Sequence, residues 1–212
     1  MMESMSKQND IYYTIEKIES SEIKIKGSRF IATASPVDSK VTALEFLDGI
    51  RAKYHDARHH CYAFRIGKDG LVFRAVDDGE PSGSGGKPIL FTLTKQNLCD
   101  IIVVVTRYFG GTKLGVGGLS RAYSQATNLA LEKCKIKAVY ITKTIKVFCI
   151  YEDLDAVKKI INEFAVTFKE DFHDAIEIIA EIPNSRVENF INEITSKTKG
   201  RAGAVLEHRT EK

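Results

Sequence analysis

The sequence contains no tryptophan, only four prolines and four cysteines in 212 residues, and no CxxC, CxH, HExxH, GxSxG or GxxxxGK[ST] pattern. Each absence removes a class of function. Cys61, Cys99, Cys134 and Cys149 are scattered over apolar segments, the pattern of buried thiols rather than of disulfides or metal ligands. His55, His59 and His60 lie close together, but without a nearby cysteine or an HExxH they do not compose a zinc site. Neither the cysteines nor the serines have the spacing of a nucleophile–base pair. No metal, no cofactor and no catalytic residue is therefore expected.

Long apolar runs are also missing. None approaches the roughly 18 residues that a bilayer span requires, so no membrane partner is expected. The opening stretch, MMESMSKQNDIYYTIEKIES, is polar and lacks the apolar core and small-residue cleavage site of a secretory signal. The expected location is cytoplasmic.

What is present is a composition with a real core, 43% hydrophobic and 28% charged. The net charge of +3 conceals an asymmetry. Residues 1–137 hold 20 Lys and Arg against 15 Asp and Glu, whereas residues 138–212 hold 11 against 13. Between Ser82 and Asn128 the five basic residues Lys87, Lys95, Arg107, Lys113 and Arg121 face only Asp100, a local excess that suits a phosphate or polyanion.

Along the chain, Tyr12–Glu19 and Glu22–Ser35 read as a strand pair. Asp38 and Ser39 are good N-caps for a helix lined by Val41, Leu44, Leu47, Ile50 and Tyr54. His60–Ile66 and Leu71–Val76 alternate around Lys68-Asp69-Gly70, a hairpin signal. The turn-rich loop DDGEPSGSGG follows, then a helix with Pro88 in its first turn, running to about Leu98. Ile101–Val105 is continuously apolar, typical of a strand buried on both faces. After the loop RYFGGTKLGVGG comes a helix with Leu119, Ala122, Ala126, Leu129 and Ala130 inward. The remainder reads strand Ile145–Tyr151, helix Leu154–Phe164, strands Val166–Phe172 and Ile176–Ile182, a helix opened by a Ser185/Glu188 capping box, and strand Gly203–Glu207. Gly200 suits that helix's C-cap. This β-α-β-β-α-β order is the ferredoxin-like split βαβ. The expected class is α+β, with one domain over 1–137 and a ferredoxin-like domain over 138–212.

Three constellations carry possible chemistry. The first is Arg107–Arg121, between a buried strand and a helix. Gly110, Gly111, Gly115, Gly117 and Gly118 let backbone N–H groups crowd a ligand, and a helix start adds partial positive charge. Arg107, Lys113 and Arg121 are expected on one face beside the N–H groups of Gly115–Gly118, with Tyr108, Lys87 and Arg29 as further contacts for an anion or nucleic acid. The alternative is that the glycines only permit tight turns and close packing. The loop is also distantly similar to the glycine-rich phosphate loop of small-molecule kinases of the galactokinase–homoserine kinase type.

The second is Asp77-Asp78-Gly79-Glu80, whose carboxylates can hold Mg²⁺ or can form a solvated turn with hydroxyls capping the next helix. The third joins Lys26–Phe30 with Arg58–Tyr62: Arg29 and Phe30 offer a phosphate contact and a stacking ring, or else a surface cation and a core aromatic.

Gly86-Lys87-Pro88-Ile89-Leu90 and Ile102-Val103-Val104-Val105-Thr106-Arg107-Tyr108-Phe109-Gly110-Gly111-Thr112-Lys113-Leu114-Gly115 together resemble the IMPACT family. Ser28–Ala32, His59–Ala63 and Asp77–Pro81 match it in order, so the likeness spans about residues 20–130. Val116 stands where a small hydroxyl residue is usual, and His60 where Asn is. The resemblance implies that the N-terminal domain has the fold of domain four of elongation factor G and of a small-subunit ribosomal protein, with a left-handed βαβ crossover against the usual hand. It implies that the C-terminal domain is similar to domain five of the same factor. Eukaryotic members regulate translation by keeping an activator from a stress-responsive kinase, using an additional RWD domain. None is recognisable in this sequence, so the kinase role is not expected to carry over.

Three functions compete. The leading one is a non-catalytic RNA- or ribosome-binding factor acting in translation, with a possible protein partner there. The others are a Mg-dependent phosphoryl-transfer enzyme using the glycine loop, and a protein-interaction module. Fold analogy alone does not choose between them.

Overall fold

The computed structural model describes residues 10–172 and 176–207. Residues 1–9, 173–175 and 208–212 lie outside the described residues. The chain divides into two compact units, one of Tyr12–Val139 and one from Tyr140 onward that includes the residues up to Ile11. Both mix helix and strand.

The first unit runs β1 (Ile11–Ile15), β2 (Glu19–Ile25), β3 (Ser28–Pro36), α1 (Lys40–Lys53), β4 (His59–Ile66), β5 (Val72–Val76), α2 (Gly86–Lys95), β6 (Ile101–Tyr108), α3 (Gly115–Leu131) and β7 (Ile136–Tyr140). Five strands form one antiparallel sheet in the order β2-β3-β6-β4-β5, while β1 pairs with β7 in a separate ribbon. The expected strand pair Tyr12–Glu19 with Glu22–Ser35 is thus three strands. Lys26 and Gly27 both take positive φ (45° and 78°). Two left-handed residues in succession close a two-residue hairpin that matches strand twist, so β2 and β3 pair with each other.

The strand β6 is central, and its apolar run has a simple cause. Val103 and Val105 face α2 and α3, while Ile102 and Val104 face α1. On the first face Ala122, Ala126 and Ala130 of α3 meet Phe30, Ala32 and Ala34, and small side chains let helix and sheet approach closely. The helix α1 is opened by a capping box between Ser39 and Thr42. Of the expected stripe, Leu47 and Ile50 are buried and Tyr54 packs against the same core, but Val41 and Leu44 are 64% and 39% exposed and Ala43 is buried instead. Apolar residues flank this helix on two sides, so periodicity alone misplaces the first turn of the stripe.

The second unit runs β8 (Thr142–Cys149), α4 (Leu154–Phe164), β9 (Thr167–Phe172), β10 (Ile176–Pro183), α5 (Val187–Lys197) and β11 (Gly203–Leu206), with sheet order β11-β8-β10-β9. Ile145, Val147, Ile178 and Ala180 of the sheet share one core with Val157 and Ile161 of α4 and Phe190 and Ile194 of α5. Ser185 does not cap α5. Its N–H donates to Asp10 Oδ1 at 3.0 Å, its hydroxyl donates to the same carboxylate, and the α5 N-cap is Arg186 without a side-chain bond. No helix among the described residues is long and apolar enough to cross a membrane.

Candidate functional site

The segment between β6 and α3 begins with a buried cation. Arg107 is 5% exposed. Its Nη1 donates to Glu80 Oε1 at 2.7 Å and its Nη2 to Ser28 Oγ at 3.2 Å. The guanidinium lies over Phe30 and Phe109, 5.4 and 5.5 Å from the ring centroids. Its Nε has no hydrogen-bond partner among the described residues. Glu80 is equally buried and also accepts from the Tyr123 hydroxyl at 2.8 Å. Burial pushes the Tyr123 hydroxyl far above the phenol range, and the adjoining Cys61 and Glu80 push it the same way, so it stays a proton donor. Arg107 is therefore first a structural cation with its own counter-charge, and not the open anion contact that composition alone suggests.

The loop that supplies Glu80 is held by Asp77. Its carboxylate accepts from the N–H groups of Gly83, Gly85 and Gly86 at 2.7, 2.9 and 2.9 Å. Burial opposes ionisation here, but these three amides hold the carboxyl below its ordinary range. Asp77, and not the expected hydroxyls, covers the start of α2; Ser84 Oγ turns away to the Pro81 carbonyl at 2.6 Å. Asp78 accepts from the His60 N–H at 2.7 Å and from Arg51 at 3.0 Å. The described residues contain no group of three or more His, Cys, Asp or Glu able to hold a metal ion.

Beyond Arg107 the chain makes an extremely close backbone contact. A Cβ on Gly110 would stand 1.8 Å from the carbonyl carbon of Gly27. Ser28 Oγ also accepts from the Gly110 N–H at 3.2 Å. The β2–β3 turn thus locks the exit of β6. The helix α3 then opens at Gly115, so Gly115, Gly117 and Gly118 belong to its first turn rather than to a loop. That turn has neither a side-chain cap bond nor an acidic residue, and its N–H groups carry the helix's partial positive charge uncompensated.

Beside this turn is a cleft of about 350 Å³. Glu80 and Arg107 border it together with Pro81, Phe109, Leu114, Val116 and Leu119, and Lys113 stands at its edge. The expected cluster is only partly assembled there. Arg107, Lys113 and Gly115 border the cleft, whereas Gly110, Gly111, Gly117, Gly118, Lys87 and Arg121 do not. Arg121 lies one turn along α3 and reaches back, its Nη1 3.7 Å from where a Gly117 Cβ would be. Lys87 is exposed at the start of α2, where its stem passes Gly83.

Strand parity separates the remaining two. Arg29 pairs with Tyr108 across β3 and β6, one residue out of step with Phe30 and Arg107. Successive side chains of a strand point to opposite faces, so Arg29 and Tyr108 lie on the α1 side. There Arg29 covers the Tyr108 ring at 5.0 Å and pairs with Glu22 at 3.0 Å, and the Tyr108 hydroxyl donates to Asp56 at 2.6 Å. Of the cleft residues and their partners, Phe109, Leu114 and Glu80 lie in the segments that carry the family resemblance but were not expected as site residues, and Tyr123 lies in no motif. Phe109 was within reach of sequence reading as an aromatic beside a glycine pair.

Two potential nucleophiles, Cys61 and Thr106, are withdrawn from this surface. Burial pushes the Cys61 thiol well above its ordinary range. A hydroxyl–imidazole pair exists, His60 Nδ1 and Thr106 Oγ1 at 3.1 Å, but Thr106 is 0% exposed and out of reach of a substrate.

Residues 26–131 match the family model of the Impact N-terminal domain, and residues 147–201 match a domain of unknown function, DUF1949. The IMPACT family member YvyE of Bacillus subtilis is 33% identical over 192 residues, 90% of this chain and 88% of that protein. An IMPACT family member of Haemophilus influenzae is 36% identical over 183 residues, 85% of this chain and 89% of that one. A crystal structure of a hypothetical protein, 27% identical, shares a TM-score of 0.65 and covers 94% of this chain and 98% of its own. With both family models placed in order and similarity along nearly its whole length, the chain belongs to the IMPACT family.

Proposed function

We propose that this chain is a non-catalytic factor of the cytoplasm that binds RNA or the ribosome and thereby acts in translation. Family membership supports the link to translation, since the resemblance set out above implies translational regulation for the eukaryotic members. The observation that carries the binding mode is the uncapped, acid-free first turn of α3 with Lys113 and Arg121 exposed beside it. A helix start of that kind attracts phosphate by its N–H groups and its dipole. The same reading takes the first unit as similar to domain four of elongation factor G, with a left-handed βαβ crossover, and the second as a ferredoxin-like domain.

The phosphoryl-transfer alternative is weaker on specific grounds. It needs the Asp77–Glu80 carboxylates for Mg²⁺, and both oxygens of Asp77 and of Asp78 already serve internal donors. Glu80 is tied to Arg107 and Tyr123.

The test is co-sedimentation with ribosomal subunits. The reading expects the protein in the subunit fraction at low salt and in the supernatant at high salt. Absence from that fraction at every salt concentration, with Mg-nucleotide raising the melting temperature instead, would favour the enzyme.

A further inference from the structure

The cleft beside α3 is a different feature from the helix start itself, and its chemistry is mixed. Phe109, 48% exposed, Leu114, Val116, Leu119 and Pro81 make apolar walls. The buried Arg107 also borders it, and no described group accepts from its Nε. A purely apolar ligand would leave that polar group unmatched, and a bare anion would meet apolar walls and the Glu80 carboxylate. The cleft suits a flat ring with polar edges, followed by a phosphate lying over the helix start.

Gly117 provides an independent indication. Its φ is not left-handed, and a Cβ there would meet nothing closer than Arg121 Nη1 at 3.7 Å, ordinary contact. Neither backbone nor packing requires glycine at this helical position, and glycine is unfavourable inside a helix relative to alanine. What glycine does provide is bare backbone beside the guanidinium of Arg121, where a phosphate can come close.

The geometry points to a binding site for one unstacked nucleotide of single-stranded RNA: the base enters the cleft against Phe109, and its phosphate rests on the first turn of α3 between Lys113 and Arg121. This deepens the RNA-binding reading above and rests on it. The size agrees, since about 350 Å³ accommodates a nucleobase with its ribose. The charge agrees as well, because the nearest carboxylate, Glu80, is already paired with Arg107. A base stacked on an exposed aromatic is recognised by its π-face, so the site tolerates different sequences.

The experiment compares a fluorescent single-stranded decaribonucleotide, the same sequence as a duplex, and a mononucleotide, on the wild-type chain and four variants. The strand is expected to bind more tightly than the duplex. Phe109→Ala should weaken strand binding about tenfold or more, the loss typical of removing a stacking ring. Gly117→Ala should weaken it too while raising the melting temperature by about 2–5 °C, because alanine is the better helix residue. That opposed pair of changes is not what a merely structural glycine yields. Val116→Trp, which narrows the cleft, should behave like Phe109→Ala. If Phe109→Ala, Val116→Trp and Gly117→Ala bind the strand like wild type while Lys113→Ala/Arg121→Ala does not, the nucleotide cleft is wrong and RNA binding stands. If wild type binds neither strand, duplex nor mononucleotide, both readings fall. If only the mononucleotide binds, RNA is the wrong source and the cleft holds a small ligand.

Discussion

Arg107 and Glu80 form a buried ion pair at 2.7 Å that ties the central strand β6 to the loop before α2. Removing one partner leaves an uncompensated charge in a low-dielectric site, which typically costs about 3–5 kcal/mol. Arg107→Ala and Glu80→Ala are each expected to lower stability by about that amount in urea unfolding. A joint Arg107→Met/Glu80→Leu replacement should recover much of the loss. Two single variants as stable as wild type would mean that the pair does not hold the loop.

The Gly27–Gly110 contact predicts a steric outcome. Gly110→Ala places a methyl group 1.8 Å from a backbone carbon. The turn and the β6 exit have to separate, at a cost of about 3 kcal/mol, the upper range for overpacking. Gly117→Ala, a helix substitution whose methyl group meets only Arg121 Nη1 at 3.7 Å, serves as the control. Thermal unfolding distinguishes the two, and equal melting temperatures would contradict the contact.

Stability should depend on pH through His60. Burial holds its imidazole below the ordinary value of 6.5, with Asp78 opposing that shift and Arg51 adding to it. The unfolded chain therefore takes up the proton more readily than the folded one. The contribution is fully present above pH 6.5 and is lost as pH falls from there toward the lower folded value. Asp77 titrates below the usual carboxylate range and does not interfere in that window. His60→Asn, which can still bond Thr106, should flatten the decline in melting temperature between pH 6.5 and 5. An unchanged slope would assign the decline to other groups.

The salt dependence of RNA binding follows from the number of phosphates that exposed cations neutralise. With Arg107 paired to Glu80, Lys113 and Arg121 remain at the helix start, and the one phosphate they share on a single strand gives a slope of log K against log salt of about −0.7. The Lys113→Ala/Arg121→Ala variant should bring the slope close to zero with little change in unfolding temperature, as both side chains are exposed. A wild-type slope near zero would place recognition elsewhere on the chain.

Much of this was legible in the residues. The apolar run Ile101–Val105 specifies a strand covered on both faces, because only a doubly buried strand tolerates so many apolar side chains in succession. Alternation around Lys68-Asp69-Gly70 specifies the β4–β5 hairpin, and the alternation of periods after Thr142 specifies β-α-β-β-α-β. The arginine–aromatic–aromatic–Gly–Gly segment was enough to suggest the family. These features depend on neighbours in sequence, and local stereochemistry is encoded locally.

What depended on partners far along the chain was decided only by the tertiary structure. That Arg107 meets Glu80, 27 residues away, and that Tyr123 shares the same oxygen, follows from how α2 and α3 pack on the sheet. That Arg29 and Tyr108 face away from Arg107 follows from a register no local pattern states, since shifting a strand by one residue exchanges its faces. A count of cations along residues 82–128 treats Arg107 and Arg121 alike. Three-dimensional packing separates them, placing one beside a buried carboxylate and leaving the other on a bare helix start, because charge acts through distance and dielectric rather than through sequence position.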